Sequence, residues 1–339
     1  MAHTFNKQWM TAATLFVALV SMSGCKGKLF SKPAFTQGQK LGGKDVSAQV
    51  LNEGHDAYTH YCYACHGNAG DGNGPSAPGM RPPPRDFRTG MFKFGGVPVG
   101  QLPHDADLER IVAHGLGGTP MLPWDMSDRE RNAIIQYIKT FSPRWKEETP
   151  GERIEITEDP WKDKDAEAIE VGKRIYHLSG VENDADGNPK YFLVGCSSCH
   201  PSYISIEERV ALSQKYTGAP PAALAELADM YRPSLKASEY QVGDHTLQIL
   251  PIDFTFHTVK NGTELSELYR TIASGIAGAA MPAWKGVLNE ESLWALTHYV
   301  KSLVSLKGTS QAIVLRNTMM NQTVPPPAPA ETAPTETTP

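Results

Sequence analysis

Two pentapeptides, Cys62-Tyr63-Ala64-Cys65-His66 and Cys196-Ser197-Ser198-Cys199-His200, each set two thiols and an imidazole within about one turn of chain. Thiols so spaced can add across the two vinyl groups of a porphyrin, and the next residue swings its imidazole under the iron. Cys-x-x-Cys-His is the attachment sequence of c-type haem. With 5 Cys and 11 His in 339 residues, one chance occurrence has a probability on the order of a few in a thousand. Two chance occurrences can be set aside.

The fifth cysteine, Cys25, has a different setting. Residues 1–24 carry Lys7, an apolar run from Met10 to Val20, and then the small residues Ser21, Ser23 and Gly24. This pattern reads as a signal peptide, too short to span a bilayer as a mature helix. Met22-Ser23-Gly24-Cys25 resembles a bacterial lipobox, with Met22 in place of the usual Leu. The expectation is lipidation at Cys25, the other reading being an ordinary signal peptide and a stray thiol. Either one places the protein outside the cytoplasm, on the periplasmic side of a bacterial membrane, where c-type haem is attached. A net charge of −5 gives no nucleic-acid footprint.

The rest of the chain reads as a duplication. Leu108–Met121 and Leu268–Met281 align at an offset of 160 residues, with Arg110/Arg270, Gly115/Gly275, Gly118/Gly278 and Met121/Met281 in register. Trp124 and Trp284 follow each Met by three residues, and Asp86-Phe87 is echoed by Asp253-Phe254 at an offset of 167. Gly54-x-x-x-Tyr58 precedes the first motif and Gly172-x-x-x-Tyr176 the second; this spacing puts Gly and Tyr on one helix face, so that a partner helix can approach over the Gly. Each copy closes on an apolar-periodic helix with a central tyrosine, Arg131–Phe141 and Glu290–Leu306. Ser127-Asp128-Arg129-Glu130 is a capping box ahead of the first, and Asn289 starts the second.

Composition sets the expected boundaries: a signal peptide over 1–24, a polar tether over 25–47, one unit over 48–145, a charged, Pro-bearing linker over 146–164 within a stretch of that character from 143, a second unit over 165–307, and a tail over 308–339. From about 324 the tail is Pro/Thr/Ala/Glu without core residues, which predicts disorder. Patterned strands are absent, so the expected fold is all-α with little or no β-sheet.

These residues, in this order, resemble a tandem of class I cytochrome c domains. The resemblance implies two such helical domains over about 48–145 and 165–307, each with a helix crossing at the Gly/aromatic contact. It implies two covalently bound haem c: Cys62 and Cys65 holding the first, with His66 and Met121 as iron ligands, and Cys196 and Cys199 holding the second, with His200 and Met281. In the family a backbone carbonyl near a proline accepts a hydrogen bond from the ligand histidine, a pattern that the loop Gly67–Pro75 fits. His104 and His114 compete for the first iron, and His245 and His257 for the second. Trp124 and Trp284 are either propionate donors or packing residues. Arg81, Arg85 and Arg88 are either propionate partners or solvated.

The second copy departs from the pattern. Nineteen residues separate Tyr176 from Cys196, against three between Tyr58 and Cys62, and 80 lie between His200 and Met281, against 54 between His66 and Met121. These insertions would serve as a docking surface or as a lid over the second haem. The polar stretch Glu182–Pro189 superficially resembles a calcium loop but reads as a surface turn.

His/Met ligation leaves no open iron position and raises the potential. The implied role is therefore single-electron transfer, not catalysis, between a quinol- or substrate-oxidising complex and a terminal oxidase or reductase. The chain would be held at the membrane by its lipid anchor. The alternatives are a haem enzyme of peroxidase or sulfur-compound-oxidising type, using a modified second haem, and a fixed subunit of a larger respiratory complex.

Overall fold

A Cβ on Gly54 would lie 2.1 Å from the Ala133 carbonyl oxygen, and one on Gly172 would lie 2.1 Å from that of Ala295. At each site the absent side chain lets two helices touch backbone to backbone. These two crossings organise the molecule in the computed structural model, which describes residues 33–219, 239–242, 245–248, 251–279 and 281–322. Cys25, the signal segment and the tail beyond 322 lie outside the described residues.

The first crossing joins α1 (Ala48–Tyr61) to α4 (Asp128–Lys139). Ser47 caps α1 by accepting from the Val50 N–H, and Leu51, Gly54, Ala57 and Tyr58 form its buried stripe. The expected capping box starts α4: the Ser127 N–H donates to Glu130 and the Glu130 N–H to the Ser127 Oγ. Between them come α2 (Tyr63–His66), which contains the first motif, and α3 (Asp105–His114). Leu51, Tyr58, Phe87, Leu108, Ile134 and Ile138 belong to the core they share.

The second crossing joins α6 (Asp165–His177) to α9 (Glu290–Ser305), the latter capped by Asn289. The short α5 (Arg144–Glu147), α7 (Ile206–Thr217), α8 (Leu265–Ser274) and α10 (Ser310–Met320) complete the helices among the described residues. A separate core gathers Ile175, Tyr176, Leu268, Tyr269, Leu293 and Tyr299. No helix among the described residues is long and apolar enough to cross a membrane.

Four stretches carry structure that the sequence pattern did not show. In a mostly helical fold, for which little or no β-sheet was expected, three short antiparallel ribbons appear among the described residues: β1–β2 (Gln39–Leu41, Lys44–Val46), β3–β4 (Ser179–Asn183, Pro189–Val194) and β5–β6 (Glu239–Val242, His245–Gln248). The first lies in the stretch read as a tether; Leu41 is fully buried and the Gly42 N–H donates to the Trp145 carbonyl. The second is the insertion before Cys196, and Glu182–Pro189 is its bend, where the Asp184 carboxylate accepts from the Asp186 and Asn188 N–H groups. No cluster of His, Cys, Asp and Glu suited to a metal ion occurs among the described residues.

The linker is the third. It is fastened at both ends rather than loose: the Gly151 and Ile154 N–H groups donate to Leu102 and Gly96 in the first half. In the second half, Thr157 donates to Glu290, the Trp161 indole to the Glu291 carbonyl (2.9 Å), and His298 bonds Asp159 (2.8 Å). The fourth is the tail: α10 buries Ala312 and Met319, and the Gln322 side chain accepts from the Ile206 N–H.

Candidate functional site

The two motifs sit in matching surroundings. The Tyr58 hydroxyl donates to the Gly67 carbonyl (2.7 Å) and the Tyr176 hydroxyl to the Pro201 carbonyl (3.0 Å); each acceptor directly follows the motif histidine. The helix-crossing tyrosines therefore hold the motifs from behind. His66 Nδ1 bonds the Arg85 carbonyl (3.1 Å) and His200 Nδ1 the Ile252 carbonyl (3.1 Å). A carbonyl only accepts, so Nδ1 carries the proton in both and Nε2 keeps its lone pair. The His66 acceptor follows Pro84, not the Pro75 of the Gly-rich loop. Phe87 stacks on His66 and Phe254 on His200, which gives the Asp-Phe echo its purpose.

Burial pushes His66 down to about 4, against the opposing hydrogen bond to Arg85, and lowers His200 as well. Both imidazoles are therefore neutral at pH 7, the form that can donate a lone pair to iron. Burial also pushes the Cys62 and Cys196 thiols up to about 12, with Cys65 and Cys199 adding to the effect. Cys62, Cys65 and Cys196 are partly buried, Cys199 is exposed, and none is in a disulfide.

Cys62, Cys65, His66 and Met121 line a single open, apolar cleft. Its walls include Phe87, Leu108 and Val112, with Trp124 at the rim. Two thiols, an imidazole with a fixed proton and a thioether around an apolar space suit a covalently attached haem in donor set and surroundings. In the second half, Met281 and Cys196 pack against the same core. The methionine loops are built alike. The Leu116 N–H donates to the Met121 carbonyl and the Ile276 N–H to that of Met281, while Gly115 and Gly275 adopt positive φ against the chain that follows each Met.

The competing histidines are otherwise engaged. His104 bonds the Gly151 carbonyl (2.8 Å), His114 is exposed and bonds the Arg110 carbonyl, and His257 accepts from the Asp253 N–H (2.9 Å). The His245 side chain lies outside the described residues. Among the arginines, Arg85 lines the cleft, Arg88 pairs with Asp86, and Arg81 is exposed and bonds the Met80 carbonyl. Sequence reasoning missed Lys93 and Lys260, which also line the cleft. It also missed Arg209 of α7, which donates to the Ser197 hydroxyl inside the second motif (2.8 Å). No local pattern marks any of these three.

Residues 49–138 match the family model described as cytochrome c oxidase, cbb3-type, subunit III. A chain of the reducing HAO-like protein complex of Kuenenia stuttgartiensis superposes with a TM-score of 0.55 at 27% identity, covering 74% of this chain and 96% of that one. No curated protein matches the sequence. The family match, the structural match and the cleft together support a c-type cytochrome, a class that binds haem c covalently and transfers electrons through it. The family model covers the first motif and the elements around it; the structural likeness, over 74% of the chain, extends beyond that stretch.

Proposed function

We propose that this chain is a di-haem c-type cytochrome, two cytochrome c domains in tandem, that relays single electrons between redox partners on the outer face of a bacterial membrane, anchored through Cys25. The supporting observation is the pair of equivalent histidines, each with Nδ1 on a carbonyl 3.1 Å away and its ring on a phenylalanine. Cys62 and Cys65 would hold one haem and Cys196 and Cys199 the other. His66 and His200 would each present Nε2 to an iron. Met121 and Met281 would each supply a thioether as the second protein ligand. When bound, a haem supplies one-electron chemistry at its iron. The chain contributes fixed ligands, an apolar surround that excludes water, and carbonyls that raise the basicity of the histidines.

Alkaline pyridine spectra of the full-length protein should give two haems per chain. The ferric protein should show the weak sulfur-to-iron band near 695 nm, a feature expected of the class, and Met121→Ala and Met281→Ala should each remove about half of it. One haem per chain, or a band untouched by both substitutions, would overturn this reading. High-spin ferric signals and tight cyanide binding would favour the enzyme alternative.

The similar chain is part of a protein complex, which favours a second reading: this chain works as a fixed subunit of a larger redox assembly. Copurification with a partner redox protein from mild detergent, at constant stoichiometry, would distinguish this subunit from a free shuttle.

A further inference from the structure

The cleft around Cys62–His66 is not built by the first half alone. The methionine loop of the first half rests on residues 258–261 of the second. The Gly117 N–H donates to the Lys260 carbonyl (3.0 Å), and a Cβ on Gly118 would lie 3.0 Å from the Thr258 Cβ. The Arg110 guanidinium donates to the Asn261 side chain (2.7 Å), which itself donates to Thr271 (2.9 Å). The Val99 N–H reaches the Ser274 carbonyl (2.9 Å). Through this seam Lys260 enters the lining of the first cleft.

Lys260 meets two other cations there, Arg85 and Lys93. Burial pushes the Lys93 ammonium down to about 8, and the charges of Arg85 and Lys260 push it further the same way. Neither lysine has a carboxylate partner among the described residues. Two lysines without a carboxylate partner, lining an apolar space, favour an anionic occupant. A haem carries two carboxylates, its propionates.

We infer that Lys260 of the second half, together with Lys93, binds a propionate of the haem held by Cys62 and Cys65, so that the second half completes the first haem's site and helps to set its potential. This inference rests on the haem assignment proposed above. A cation beside a propionate favours the reduced iron, which has one positive charge fewer. Lys260 would therefore hold the first haem at a higher potential than its own half would give it, and the seam would couple the two halves electrostatically.

The test is a spectroelectrochemical titration of the full-length, haem-loaded protein and its Lys260→Gln and Lys260→Glu variants, with the first haem identified by the spectrum that Met121→Ala changes. Lys260→Gln should lower the reduction equilibrium constant of the first haem about three- to tenfold, a tenfold change being 59 mV for one electron. Lys260→Glu should lower it further. The second haem should move less than twofold, as should both haems in Lys40→Gln, at an exposed lysine outside the cleft. An unmoved first haem in both Lys260 variants, or equal movement of the two haems, would overturn the inference. Haem counting separates this from the reading on which it rests: two haems with a first haem insensitive to Lys260 would sink the inference alone. A count of one haem would sink the two-haem reading, with the Lys260 measurement still decisive on a haem at Cys62–His66.

Discussion

Phe254 lies face to face with His200, ring centroids 5.0 Å apart and planes 23° from parallel, as Phe87 lies on His66 at 4.4 Å and 19°. Each phenylalanine stands two residues after the carbonyl that accepts from the histidine, so a short stretch of chain fixes both the tilt of the imidazole and its proton. Phe87→Leu and Phe254→Leu keep an apolar side chain but remove the flat face. Each should cost about 1–1.5 kcal/mol and should shift the ferric EPR g-values of its own haem while leaving the other's in place. Unchanged g-values in both variants would show that the stacking does not orient the ligand.

The helix crossings should be intolerant of a single methyl group. In Gly54→Ala or Gly172→Ala the new carbon would sit 2.1 Å from a carbonyl oxygen, so the helices must separate. The expected loss is about 1–3 kcal/mol or more, read as a fall of several degrees in melting temperature by circular dichroism. A melting temperature within a degree of the parent would mean that the crossing is looser than described.

Asp105 sets an acid limit on the first half. Burial works to raise its carboxyl, but hydrogen bonds from Lys139, Lys44 and Gln136 prevail and hold it below the ordinary carboxylate value. Its stabilising share is therefore complete above the unfolded value of ~3.9 and fades as the pH falls through the lower folded value. Asp105→Asn should cost about 1.5–3 kcal/mol at pH 7, because Lys139, 1% exposed, loses its carboxylate. The difference from the parent should shrink towards pH 3. Equal losses at both pH values would exclude this account.

The linker should resist proteases only while its anchors hold. Trp161 is 5% exposed and donates to the Glu291 carbonyl, whereas the neighbouring Lys162 and Lys164 are exposed. Trp161→Ala should therefore speed tryptic cleavage at these lysines at least severalfold, measured by mass spectrometry of the early fragments. Cleavage at the parent rate would mean that other contacts fasten this stretch.

Features carried by a few neighbouring residues were legible in the sequence. The pentapeptides, the Gly-x-x-x-Tyr faces, the capping box and the methionine loops each declare themselves locally, and the structure puts Met121 in one cleft with His66. Short ribbons were not legible. Gln39–Val46 is mostly polar and buries little beyond Leu41 and Val46, so its composition is that of a tether. Ser179–Asn183 lacks alternation because its buried residue is Glu182, made tolerable only by Arg174 on another element. The charged linker hid its anchors because Ile154 and Trp161, which both join the core of the second half, are isolated apolar residues, and its hold on the first half is through backbone N–H groups. Lys260 was beyond reach: its place in the first cleft follows from how the halves meet, and no pattern within either half specifies that.

The fastened linker has a mechanical consequence. With the Gly151 and Ile154 amides bonded to the first half and Trp161 to the second, the described linker is no free arm on which a haem-bearing body could swing to meet its neighbour. If two haems are present, passage between them proceeds across a set gap, and its rate should be indifferent to the viscosity of the medium. Thickening the solvent would slow only the arrival and departure of outside partners.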